Sequence, residues 1–154
     1  MSFDRADWQY DSAMKMYCEK YGKNPDSLTE EDEDIIWQNA GNHIAFFITW
    51  LIRHDFLGEL HHEDEFEEKD LEAVKNREKT GMDIFSKYCD MKFTDEDVCD
   101  EIEPFVTEYY EKSYLTDYCN VMGDEKVLET TFSWDDYMKV EPVLDQAYKA
   151  WREK

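Results

Sequence analysis

The chain of 154 residues carries 39 acidic side chains against 17 basic ones, a formal charge of −22. Such a surface repels nucleic acid and anionic membrane, and it draws basic surfaces toward it. Five Trp, ten Tyr and nine Phe exclude a disordered acidic tail, and the length fits one domain over residues 1–154.

The first ten residues, MSFDRADWQY, have neither the basic nor the apolar stretch of a secretory signal, so a cytoplasmic location is expected. A helical pattern over 10–21 ends at Gly22. Thr29 followed by Asp32 is a capping-box start for a helix over 30–40, and Gly41 reads as its C-terminal cap. A further helix over 42–55 has Ile44, Phe47, Ile48, Leu51 and Ile52 on one stripe and Phe46 and Trp50 on a second face. A helix apolar on two faces has to be surrounded by others. Its apolar run is far short of the ~20 residues that a membrane span requires.

Helical patterns continue over 64–80, resuming at 82–90, and over 95–120 behind Thr94 and Asp97, with a kink expected at Pro104. Ser133 and Asp136 open the last, over 134–152, where Pro142 predicts a second irregularity. Lys126–Phe132 alone has β-like composition, and it is short. The fold class that follows is all-α: a single irregular bundle of about six helices with little or no β.

Candidate chemistry is sparse. His54, His61, His62 and Glu63 lie in the densest imidazole–carboxylate stretch, and three nitrogens with a carboxylate can hold a divalent ion such as zinc. Their spacing fits no established ligand pattern, and adjacent residues cannot all converge from one helix. His43, at the head of the apolar helix, is a candidate cleft residue, although a hydrogen-bonded structural role is the commoner fate of a lone His there. Tyr110, Tyr114 and Tyr118 recur at i, i+4, i+8 with Glu111 and Asp117 between them. Aromatic anchors rimmed by carboxylates suit contact with a basic protein, and the same spacing suits a core stripe equally well. Cys18, Cys89, Cys99 and Cys119 form no CxxC pair and are expected to be reduced thiols. There is no GxSxG, P-loop, GxGxxG or HExxH, so no catalytic residue is assigned and no cofactor is expected beyond the divalent ion.

Two stretches carry a resemblance. Asp7-Trp8-Gln9-Tyr10 with Ala40-Gly41-Asn42-His43-Ile44 through Phe47 and Trp50 is similar to a Trp-x-Tyr start and a His-Ile-x-x-Phe-x-x-Trp helix. Phe105-Val106, Tyr109-Tyr110, Tyr114, Tyr118, Trp134, Tyr137, Tyr148 and Trp151 are similar to a tyrosine-rich C-terminal half. Together they resemble a family of uncharacterised bacterial proteins built on a domain of unknown function. The resemblance implies a shared fold, since the matching positions are mainly aromatic core sites, and it carries no activity.

Composition and charge then give the functional expectation. It is a non-enzymatic acidic binding protein for a basic protein partner, with no direct nucleic-acid or membrane contact. Its concrete form is a toxin-immunity protein masking a cationic nuclease site. A metal-binding or His-dependent enzyme or sensor is the second reading, and a nucleic-acid mimic the third.

Overall fold

A computed structural model describes residues 2–154. It is mostly helical with a small two-stranded sheet. The elements in order are β1 (Ser2–Arg5), α1 (Tyr10–Tyr21), α2 (Glu30–Arg53), α3 (Glu65–Lys75), α4 (Gly81–Tyr88), β2 (Lys92–Thr94), α5 (Glu103–Tyr109), α6 (Leu115–Met122) and α7 (Trp134–Arg152). A π turn, Tyr110–Tyr114, joins α5 to α6 into one continuous helix. Short 3-10 turns fill several connections, including Glu59–His62 and Asp95–Asp97.

The long helix α2 is the axis of the fold. Thr29 and Asp32 close a full capping box at its start, and four acidic residues fill its first turn, where the helix dipole favours them. From Asn39 to Ile52 every residue is buried, so neighbours cover all sides of this half. The expected break at Gly41 is absent. A Cβ there would meet Phe85 Cε2 at 2.9 Å and the Ala6 and Met91 side chains at 3.3 Å, so the glycine serves close packing instead of ending the helix. Helix α4 crosses α2 through a tighter contact, where a Cβ on Gly81 would stand 1.8 Å from Thr49 Oγ1 and 2.6 Å from the Ala45 carbonyl.

Helices α1 and α7 run over the expected ranges, and α7 passes uninterrupted through Pro142. Pro104 opens α5, where its missing N–H is harmless, and kinks nothing. Lys126–Phe132 forms no strand; the two strands are β1 and β2, paired antiparallel. Each contributes little apolar surface of its own (Phe3 and Phe93, ring centroids 5.1 Å apart), so their pairing depends on the core beneath them.

The core is aromatic. Phe47 touches Trp50, Phe93, Tyr109, Tyr110 and Tyr114, and Trp50 reaches out to bond Asp145 on α7 through its indole N–H at 2.9 Å. The buried residues Phe105, Tyr109, Tyr114 and Tyr118 follow one another at steps of four, five and four, and the five-residue step spans the π turn. One extra residue per turn resets the face, which keeps the whole aromatic stripe on α2. Among the described residues no helix is long and apolar enough to cross a membrane.

Candidate functional site

Two places in the fold concentrate chemistry. The first is an open cleft of about 780 Å³ lined from β1, α2, α4, β2 and the loops between them. Four carboxylates line it: Asp7, Asp34, Asp83 and Asp90. Arg5 clamps Asp7 with two hydrogen bonds at 2.9 and 2.8 Å, and Lys92 lies 3.5 Å from Asp90. That leaves Asp34 and Asp83 without a cation among the described residues. Trp37, Met82, Met91 and Phe132 form the apolar lining, with the Trp37 ring set against Tyr10 at 4.4 Å.

The backbone bordering this cleft is strained. Asp90 and Met91 both adopt left-handed dihedrals, with φ of 53° and 58°. The conformation is held because Met91 N–H bonds the Phe85 carbonyl and its own carbonyl accepts from Ala6, both at 3.0 Å. Each such non-glycine residue costs about 1–2 kcal/mol, and strain of this kind gathers where a surface is shaped for a task.

The second place is a buried polar knot under the 3-10 turn Glu59–His62. His61 is 1 % exposed and sits between two carboxylates, with Nδ1 on Glu67 and Nε2 2.8 Å from Asp97 Oδ1. Burial works against charge on this imidazole, but the bonds to Asp97 and Glu67 outweigh it and raise its pKa above the ordinary value. Cys89, at the end of α4, turns toward the same point, and one donor atom from each of His61, Cys89 and Asp97 lies within 4.8 Å of the others. Burial, and then the Asp97 and Glu67 charges, push the Cys89 thiol well up, so on its own it is no nucleophile.

Gly58 brings these segments together. Its N–H bonds the Asp97 carbonyl at 3.0 Å, Cys99 N–H bonds Phe56 at 2.9 Å, and Leu57 bridges Val98. A Cβ on Gly58 would meet the Glu96 and Val98 carbonyls at 2.9 and 3.0 Å, so a larger residue would push the two segments apart.

A family model described as a domain of unknown function, DUF7832, matches residues 2–133. The chain belongs to that family. No curated protein and no solved structure matches it. The DUF7832 match takes in all of the cleft lining and the whole His61 knot, while α7 lies beyond it.

Within this DUF7832 fold the residues singled out from sequence are scattered. His54 caps α2 and pairs with Asp145 on α7 at 3.0 Å; His62 is exposed and pairs with Glu68; Glu63 is exposed. Of the expected ligand set His54, His61, His62 and Glu63, only His61 enters a cluster: His54 sits at the end of α2 facing α7, and neighbours along a 3-10 turn point in different directions. Glu67, Cys89 and Asp97, its real companions, come from three other segments, and no local spacing announces them.

His43 lies in the middle of α2, since the helix begins at Glu30 and not at residue 42. It is 3 % exposed, its Nε2 lies 3.0 Å from Asp4, and Tyr110 donates to the same carboxylate oxygen at 2.8 Å. This Asp–His–Tyr arrangement has the residue types of a catalytic relay, but it faces the core and reaches no cleft. The tyrosines are likewise interior: Tyr110, Tyr114 and Tyr118 are buried, and Tyr114 bonds the His43 carbonyl at 2.5 Å. Of the expected contact set only Glu111 is fully exposed; Asp117 is half-buried and accepts from Tyr109. The core reading of that stripe is the one the packing takes, and the carboxyl-lined cleft was not legible in it.

Proposed function

We propose that this protein binds a basic protein partner, and that the cleft beside Trp37 receives one of the partner's cationic side chains. The observation that carries the reading is the pairing of uncompensated Asp34 and Asp83 with an aromatic and thioether lining in one open cavity. A lysine or arginine entering it meets two carboxylates and a tryptophan face, and cation–π contact adds about 0.5–2 kcal/mol to the charge attraction. The formal charge of −22 draws a basic partner toward the protein over distances that a single pair cannot reach. Its concrete form is an immunity-like masking protein, in which the occupied side chain belongs to a cationic active site.

The test is isothermal titration calorimetry with a six-residue arginine peptide, on wild type, Asp34→Asn and Trp37→Ala. Attraction to overall charge alone would leave Trp37→Ala indistinguishable from wild type, because no charge changes. Site binding predicts a loss of about threefold or more for each variant, and wild-type affinity in Trp37→Ala would refute it.

A further inference from the structure

We propose that His61, Cys89 and Asp97 form a binding site for a divalent transition-metal ion of the zinc class. The site is separate from the cleft, and its argument does not depend on the cleft. Imidazole nitrogen, thiolate sulfur and carboxylate oxygen are the three donor types that zinc takes, and here they come from three segments that only the fold brings together.

The surroundings of the donors point the same way. A metal-bound histidine nearly always gives its other ring nitrogen to a carboxylate, which fixes the ring and its tautomer. His61 has this arrangement, with Nδ1 on Glu67 while Nε2 faces Asp97, and Cys89 brings its sulfur within 4.8 Å of a donor atom from each of the two. Asp97 is oriented as well. Its Oδ2 accepts from Thr94 N–H at 2.7 Å and from the Thr94 hydroxyl at 3.3 Å, leaving Oδ1 turned toward His61. Two of the three donors therefore have one face held by the fold and the other directed at the same point.

The distances suit a proton's replacement by a metal. His61 Nε2 and Asp97 Oδ1 are 2.8 Å apart, at hydrogen-bond length. Tetrahedral zinc, with bonds of about 2.0–2.3 Å, spaces its ligands about 3.3–3.8 Å apart, so the pair opens by no more than about 1 Å. Three protein donors leave the fourth tetrahedral position for water or another small ligand. The ion would tie the turn Glu59–His62, the end of α4 and the turn Asp95–Asp97 into one unit.

The experiment uses the full chain stripped with a chelator and titrated first with cobalt(II), then with zinc. One equivalent of cobalt should give the intense visible bands of a tetrahedral site and a near-ultraviolet thiolate-to-metal band, both abolished by zinc. Cys89→Ser should lose the thiolate band, whereas Cys99→Ser should keep it. Glu67→Gln should bind with unchanged stoichiometry but about 10–100-fold more weakly, as loss of an orienting partner does. Absence of stoichiometric cobalt in wild type, or a thiolate band that survives Cys89→Ser, would overturn the proposal. Should Cys89→Ser prove unfolded by circular dichroism, Glu67→Gln decides, and wild-type affinity there would overturn it equally.

Discussion

At Asp70 three side chains meet one carboxylate: Tyr88 at 2.6 Å, Lys79 at 2.9 Å and Lys87 at 3.2 Å. The Tyr88 hydrogen bond, then that of Lys79, holds its carboxyl well below the usual range. A depressed carboxyl stabilises the fold fully above its unfolded value of about 3.9, and that contribution fades as pH falls through the lower folded value. Asp70→Asn should therefore destabilise the chain by about 1 kcal/mol at pH 7, the exposed lysines adding little. The gap from wild type should close progressively below about pH 4. Urea unfolding of both proteins at pH 7, 4 and 2.5 checks this, and a gap constant with pH would contradict it. None of the Asp70 partners is marked in the sequence, since they lie 9 to 18 positions away. The same holds at His61, whose sequence neighbours His62 and Glu63 share a local charge pattern with it but not a direction in space.

Some helix ends are fixed by local chemistry, and those were legible: Thr29 with Asp32 forms the capping box that its spacing announces, and Gly22 closes α1 in the left-handed region. Thr94 with Asp97 also closes a capping box, but it opens only the 3-10 turn Asp95–Asp97, and the helix expected from residue 95 begins at Glu103. Gly41 and Gly81 have the same residue type for a different reason, namely the close approach of other segments to α2, and a single sequence does not distinguish the two uses. β1 and β2 escaped because four- and three-residue strands have too few positions to show alternation. The π turn is visible only afterwards, as the five-residue step between Tyr109 and Tyr114. The glycine at the α2–α4 crossing gives a test at this scale. Gly81→Ala places a Cβ against Thr49 and the Ala45 carbonyl, atoms that cannot yield without moving α2. It should cost about 3 kcal/mol or more and lower the thermal midpoint accordingly. Thermal unfolding of the two proteins measures it, and a midpoint within a degree or two of wild type would mean the helices cross less closely.

The charge belongs to the whole molecule. Seventeen basic side chains cannot neutralise 39 acidic ones, and the screening length is about 8 Å at physiological salt, so neighbouring acidic runs repel one another. Raising sodium chloride from about 10 mM to 500 mM should therefore raise the thermal midpoint, and a midpoint that falls or stays flat would show that the acidic groups are already balanced. This property was plain from composition. The place where the charge acts was not, because the cleft draws Asp7, Asp34, Asp83 and Asp90 from separated segments. The tyrosine stripe, which offered the sequence's most regular aromatic pattern, is regular because it packs against one helix. The measurement that tests the central claim most directly is affinity capture from the native host's lysate at low and high salt. Wild type is compared with a Trp37→Ala, Asp34→Asn double variant, and the retained proteins are identified by mass spectrometry. The account predicts a basic protein held by wild type at low salt, released at high salt and not retained by the variant. Equal retention by wild type and variant, or retention indifferent to salt, would contradict it.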